Sequence, residues 1–238
     1  MTGVSHATES MYALPEVRTL LREELGLVRE HAARQPAGRA LLLRPHATAR
    51  DLEADVAHLA TTELHVESGR LGGAVDCAPA VLPFENAAFE LVLAQHVGDA
   101  LPDEGFAEEL SRVLAPGGVL LWYAFNPWSP WLAWIHWQTR GAAAPPFANA
   151  DTQRRRFVRA RLAPVSTRYV GACWPTRREV AAITDDARSR LLAPLRGAYL
   201  LVVRKQRASL TPLRPRVRHA SVALGARLAG TPSQRASA

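Results

Sequence analysis

The side chains best placed to do chemistry follow a short apolar run. Phe89 to Gln95 (FELVLAQ) reads as a strand buried on both faces, and Gln95-His96-Val97-Gly98-Asp99 follows it directly. In open parallel sheets the carboxyl ends of strands border the ligand crevice, so Gln95 and His96 are candidates for that crevice. An imidazole titrates near neutrality, which makes His96 a candidate general base, with Asp99 beside it. A second apolar run, Val119 to Tyr123, leads into Ala124-Phe125-Asn126-Pro127-Trp128-Ser129-Pro130-Trp131. Asn126 follows that strand and could orient an acceptor by hydrogen bonding. Five of the 6 tryptophans fall between Trp122 and Trp137. This density suggests a lid or an apolar acceptor pocket, with Trp128 and Trp131 as its substrate contacts. Ordinary packing and an interfacial membrane patch are the other readings of the same aromatics.

The elements that would position these groups are legible from periodicity. Phe106, Leu110, Val113 and Leu114 lie on one helical face. Pro116-Gly117-Gly118 then ends the helix, because proline cannot continue it and glycine accepts left-handed geometry. Leu82-Pro83-Phe84 stands before the first strand, and Arg112-Val113-Leu114-Ala115-Pro116-Gly117-Gly118 joins the helix to the second. Motifs and spacing together resemble the C-terminal half of class I S-adenosylmethionine-dependent methyltransferases, of the type 11 domain. The resemblance implies an α/β fold, a Rossmann-like three-layer sandwich. Its seven-stranded sheet would be mostly parallel, with an antiparallel last strand. It also implies S-adenosyl-L-methionine as cofactor. Enzymes of this class work mainly by holding donor and nucleophile in line, so the lack of a triad or metal cluster in the sequence is compatible with it.

The N-terminal half departs from the family. Pro15 opens a helical pattern with Val17, Leu20, Leu21, Leu25, Val28 and Ala32 on one face. Arg39 to Leu43 reads as the first strand. In the resembling family this strand runs into a glycine-rich loop that lets the backbone approach the cofactor. Here Arg44-Pro45-His46-Ala47-Thr48-Ala49 follows, and no glycine stands between Gly38 and Gly69. A cofactor held by this loop would meet Arg44 and His46 in place of glycines. Ala49 to Ala60 reads as a helix through Leu52, Val56 and Leu59, and Glu63 to Glu67 as a second strand. The resemblance makes Glu67 the ribose-binding carboxylate. Ala74 to Cys77 reads as a third strand. The family's adenine-binding aspartate falls on Ala78, which leaves Asp76 as its substitute only if the loop shifts. The resemblance thus assigns Arg44, His46, Glu67, Asp76 and Gln95 to the cofactor, yet two departures point to a weakened or lost site.

Charge is uneven along the chain. Residues 1–150 hold 10 Arg and no Lys against 18 Asp and Glu, whereas residues 151–238 hold 19 basic residues against 4 acids. A basic C-terminal part could meet nucleic acid or an anionic membrane. A general preference for arginine over lysine reads the same numbers without a partner, since Lys205 is the sole lysine. No apolar run approaches the ~18 residues of a transmembrane helix. The first thirty residues carry five glutamates and no apolar block, so no signal peptide is expected. Cys77 and Cys173 form neither a zinc pattern nor a disulfide framework, and a cytoplasmic location is the default.

Downstream, Gly141 to Pro146 reads as a link and Thr152 to Arg161 as a basic segment. Arg168 to Cys173 reads as a strand, Thr176 to Leu192 as a helix opened by a capping box, and Ala198 to Val203 as the last strand. Residues 1–14 read as a mobile start, 15–207 as the folded domain, and 208–238 as a disordered, Pro/Arg-rich tail. Asn126-Pro127-Trp128-Ser129 and the run from Gly197 to Arg218 resemble a proteobacterial subgroup of these proteins with no settled substrate. Three functions follow as expectations. The first is methyl transfer to a small or lipophilic acceptor. The second is an inactive, methyltransferase-like scaffold or partner-binding module. The third is nucleic-acid binding or methylation through the basic C-terminal part.

Overall fold

A computed structural model describes residues 11–56, 58–101, 105–140, 147–178 and 191–206. Seven strands form one sheet in the order β3-β2-β1-β4-β5-β7-β6. They are β1 (Gly38–Arg44), β2 (Leu59–Glu67), β3 (Arg70–Gly73), β4 (Phe89–Gln95), β5 (Leu114–Phe125), β6 (Leu162–Val170) and β7 (Ala198–Lys205). The centre is parallel: β1 pairs with β2 and β4, and β4 with β5. Both ends are antiparallel, through β3 on β2 and through β7 and β6 beyond β5. Helices α1 (Pro15–Ala32) and α3 (Pro130–Gln138) cover one face. Helices α2 (Phe106–Val113) and α4 (Ala150–Arg159) cover the other, which completes the expected three layers.

The apolar runs explain the central strands. Leu41, Leu43, Val92 and Leu120 point to the α2/α4 face, while Leu42, Leu91, Leu93 and Leu121 point to α1, all buried. Burial on both faces removes the polar alternation of a half-exposed strand. Helix α1 buries the stripe its periodicity predicts, namely Val17, Leu20, Leu21, Leu25, Val28 and Ala32. Two polar residues, Thr19 and Glu24, are buried on the same helix. Met11 and Tyr12, just before it, are fully buried.

The two motifs that carry the resemblance are bonded to each other. Arg112 Nη1 donates to the Phe84 carbonyl at 2.7 Å, and Nη2 donates to the Leu82 carbonyl at 2.8 Å. The Leu82 amide in turn donates to Glu109 Oε2 at 2.8 Å. The ammonium of Lys205 caps the end of α2 by donating to the carbonyls of Ser111 (2.6 Å) and Leu114 (2.7 Å). Pro116-Gly117-Gly118 lies inside β5, where the register against β4 shifts between Phe89 and Leu91 and Gly117 takes a φ of 84°.

Three local expectations are corrected. The helix expected over 49–60 is absent. Ala47–Ala49 forms a single 3-10 turn, the chain then runs irregularly, and β2 starts at Leu59. Side chains take the carbonyls that a helix would need: Arg18 takes that of Thr48 and Arg44 that of Leu52. Leu52, Val56 and Leu59 are still buried, so the apolar pattern reports burial and not helical period. The third strand is not 74–77 but Arg70–Gly73, a hairpin partner of β2 across Ser68 and Gly69, both at positive φ. Cys77 makes only an isolated bridge to Leu71. The strand expected at 168–173 begins earlier, at Leu162, and ends at Val170. Most of the expected helix over 176–192, the 141–146 link and the tail lie outside the described residues.

Candidate functional site

Arg44 ends β1 and Gln95 ends β4, two adjacent parallel strands. Their carboxyl rim is the switch point where an open α/β sheet holds its ligand. In this chain a continuous row of side chains fills that rim. Arg44 is buried, and all its nitrogens are engaged. Nε donates to Glu63 Oε1 at 2.9 Å, Nη1 to Gln95 Oε1 at 3.1 Å and Nη2 to the Leu52 carbonyl at 2.8 Å. Burial pulls the guanidinium below its ordinary pKa, and the charge of Glu63 opposes that pull. The Gln95 amide donates to the Leu21 carbonyl at 3.0 Å and to Glu24 Oε2 at 2.8 Å. Helix α1 is thereby pinned across the strand ends.

The row continues into His96. Its Nε2 lies 2.8 Å from Glu24 Oε1 and its Nδ1 2.8 Å from Asp99 Oδ2. An ionised carboxylate only accepts, so an imidazole held between two of them donates from both nitrogens and carries a positive charge. Burial opposes that charge, but Glu24 and the hydrogen bonds donated to both carboxylates outweigh it, and the pKa is raised to about 9. Burial pushes the Asp99 carboxyl up, while the bonds from His96 and the Phe125 amide (3.0 Å) restrain it. Tyr12 Oη donates to the His96 carbonyl at 3.3 Å, and Tyr123 Oη to the Glu24 carbonyl at 3.0 Å. His96 itself has a φ of 52°, an uncommon backbone state for a residue with a side chain. It sits against Phe125 with ring centroids 4.2 Å apart.

The structure brings together only part of the expected site. Gln95, His96, Asp99 and Arg44 converge, and Glu24, Glu63 and Tyr12, which the sequence does not mark as site residues, join them. The other candidates lie elsewhere. His46 caps the 3-10 turn by accepting from the Thr48 amide at 3.2 Å. Glu67 is an exposed carboxylate at the end of β2, 3.8 Å from His65 Nε2. Asp76 is exposed and pairs with Arg70 at 2.9 Å. Asn126 is buried and holds loops together: its Nδ2 donates to the carbonyls of Pro194 (2.7 Å) and Arg196 (3.0 Å). Trp131 is buried against Gly197, and its Nε1 donates to the Ala172 carbonyl at 2.9 Å. Trp128 is exposed. Among the described residues no cluster of His, Cys, Asp or Glu could hold a metal ion.

Residues 33–122 match the family model described as a methyltransferase domain. Comparison with curated proteins returns no match. Among solved structures, the chain is similar to S-adenosylmethionine-dependent methyltransferases from three organisms. For the one from Archaeoglobus fulgidus the TM-score is 0.54 at 11% identity, over 76% of this chain and 92% of that one. For Thermotoga maritima it is 0.52 at 15%, over 83% and 95%. For Mesorhizobium loti it is 0.50 at 14%, over 82% and 99%. The fold is therefore that of S-adenosylmethionine-dependent methyltransferases, and S-adenosylmethionine is the cofactor that this fold and domain imply.

The residues present do not fit that group in this conformation. The turn after β1 has no glycine, and Arg44, the last residue of β1, lies inward across the rim with each of its three nitrogens bonded, to Glu63, Gln95 and Leu52. Gln95 and His96 are fully buried and saturated. Each nitrogen of Arg44, both polar atoms of the Gln95 amide and both ring nitrogens of His96 already have a protein partner.

Proposed function

We propose that this chain uses the methyltransferase architecture as a partner-binding module, with its cofactor rim occupied by its own side chains. One observation supports this above the others. Arg44, Gln95, Glu24 and His96 form an unbroken buried row across the ends of β1 and β4, where the fold would receive S-adenosylmethionine. A fully satisfied polar network of this kind is costly to open, because each group freed from it loses a partner in a low-dielectric interior. A proton cannot leave or reach His96 from a bound acceptor while both ring nitrogens face carboxylates, so the base role expected for it is not available in this state.

Thermal unfolding with S-adenosylhomocysteine tests the proposal. No shift at millimolar ligand is the expected result. A ligand present at one hundred times its dissociation constant stabilises by about 2.7 kcal/mol, and a shift of that size would overturn the reading.

A second reading, methyl transfer to a small or lipophilic acceptor, has one observation in its favour. Glu24, which closes the row, belongs to α1, an element that lies before the matched residues 33–122. On this reading α1 withdraws to admit the cofactor, and Glu24→Ala would create or strengthen S-adenosylhomocysteine binding.

A further inference from the structure

Three loops beyond the ends of β5, β6 and β7 are laced into one surface. Ser129 Oγ donates to the Leu195 carbonyl at 2.9 Å, and Asn126 Nδ2 to that of Pro194 at 2.7 Å. The Gly197 amide donates to the Ala172 carbonyl at 3.1 Å, and Cys173 Sγ lies 3.8 Å from the Leu192 carbonyl. These bonds fix the backbones of 126–131, 171–174 and 191–197 beside one another. The same segments carry half of the large apolar side chains that stand exposed among the described residues. Trp128 is 72% exposed, Trp174 64% and Leu191 83%, with Leu192 and Leu195 also exposed. Helix α3 starts within this surface, its solvent face carries Ala133, His136 and Trp137, and Arg140 is exposed just past its end. His136, Trp137 and Arg140 border an open cleft of about 530 Å³.

Charge distinguishes the surface further. Segments 126–140, 171–178 and 191–197 contain four arginines and no aspartate or glutamate. Arg140 and Arg178 are exposed. Arg177 is paired with Glu16 of α1 at 2.8 Å and Arg196 is buried, so Arg140 and Arg178 supply the exposed charge. Exposed tryptophans beside exposed arginines match the boundary between headgroups and acyl chains of an anionic bilayer. Indole rings favour that depth, and each exposed cation gains from the surface potential. No helix among the described residues is long and apolar enough to span a membrane, so contact would be peripheral.

We propose that this rim docks on anionic lipid membranes, with Trp128 and Trp174 entering the headgroup layer and Arg140 and Arg178 meeting lipid phosphates. The proposal rests on the partner-binding reading only in naming the partner, and vesicle binding is measured without any cofactor, so the two can fail separately. The test is co-sedimentation of the full chain with phosphatidylcholine vesicles, with and without phosphatidylglycerol. Binding to the anionic vesicles alone is expected. The exposed pair Trp128→Ala/Trp174→Ala should keep the circular dichroism of the parent and lose about tenfold or more in partition. Wild-type protein left in the supernatant would overturn the proposal. So would undiminished binding of the double variant, which would assign the attraction to charge elsewhere. A concentration-dependent dimer abolished by the same double variant would equally overturn it, because a second copy would then cover the face.

Discussion

Glu24 is the charge on which the buried row turns, and Glu24→Gln tests its role with little change of shape. In the wild type, His96 has a pKa of about 9 in the folded chain against an ordinary value of 6.5. A pKa raised by folding adds stability that is fully present below the unfolded value and is lost as pH climbs through the folded one. At 1.36 kcal/mol per pH unit, the span from 6.5 to about 9 is worth on the order of 3 kcal/mol. His31 and His65 are both pushed down by burial, so each adds stability as pH rises through 6.5, opposite in sense to His96, and is complete about one unit above it; both are shared by wild type and variant and cancel in their difference. Burial pushes the Cys77 thiol up, which places its effect at the alkaline end of the window or beyond it. Urea unfolding followed by far-ultraviolet circular dichroism, at steps between pH 6 and 9, reads the slope. Wild-type stability should fall across this range by on the order of 3 kcal/mol. Glu24→Gln removes the charge that outweighs the burial cost of the imidazolium. The variant should be less stable by a similar amount at pH 6.5, with a flatter profile that meets the wild-type curve near pH 9. A flat wild-type profile, or a constant offset between the two proteins at every pH, would refute the reasoning.

Three further outcomes are expected. Gly197→Ala places a methyl group 2.8 Å from the Trp131 ring, and overpacking of this kind should cost about 1–3 kcal/mol, seen as a lowered Tm. Lys205→Met strips the carbonyls of Ser111 and Leu114 of their cap, and a loss of about 1–2 kcal/mol in urea unfolding should follow. Trp131→Ala opens a cavity under the loop lacing and removes the bond to Ala172, so a loss of about 3–5 kcal/mol is expected, again by urea unfolding.

The sheet and its helices were legible because burial on both faces writes itself as unbroken apolar runs. Phe89 to Gln95 forms a strand over the residues its pattern marks, and the stripe of α1 is buried residue for residue. The same signal misled at Leu52, Val56 and Leu59. Helical spacing there coincides with burial, and side chains from Arg18 and Arg44 decide the backbone instead. Ser68-Gly69 closes a hairpin onto Arg70–Gly73, whose two glycines read more readily as loop than as strand, so the third strand is expected at 74–77. At the rim, the missing glycines mark Arg44 as a departure from the family, and its side chain lies across the strand ends. Glu24 was missed although a signal existed: a carboxylate between Leu21 and Leu25 on the apolar stripe of a helix needs a buried partner. Which partner could not be read, since His96 lies 72 residues away along the chain. Asn126 reads as a ligand contact because it follows a strand, and Trp131 because tryptophans are dense around it. Their partners, Pro194, Arg196 and Ala172, are likewise distant in sequence.

The central claim is that Arg44, Gln95, Glu24 and His96 together occupy the place of the cofactor. Isothermal titration of the wild-type chain with S-adenosylhomocysteine addresses it directly. No saturable heat up to millimolar ligand is the predicted result. A one-to-one isotherm with a micromolar dissociation constant would contradict the account and return the chain to the enzymes.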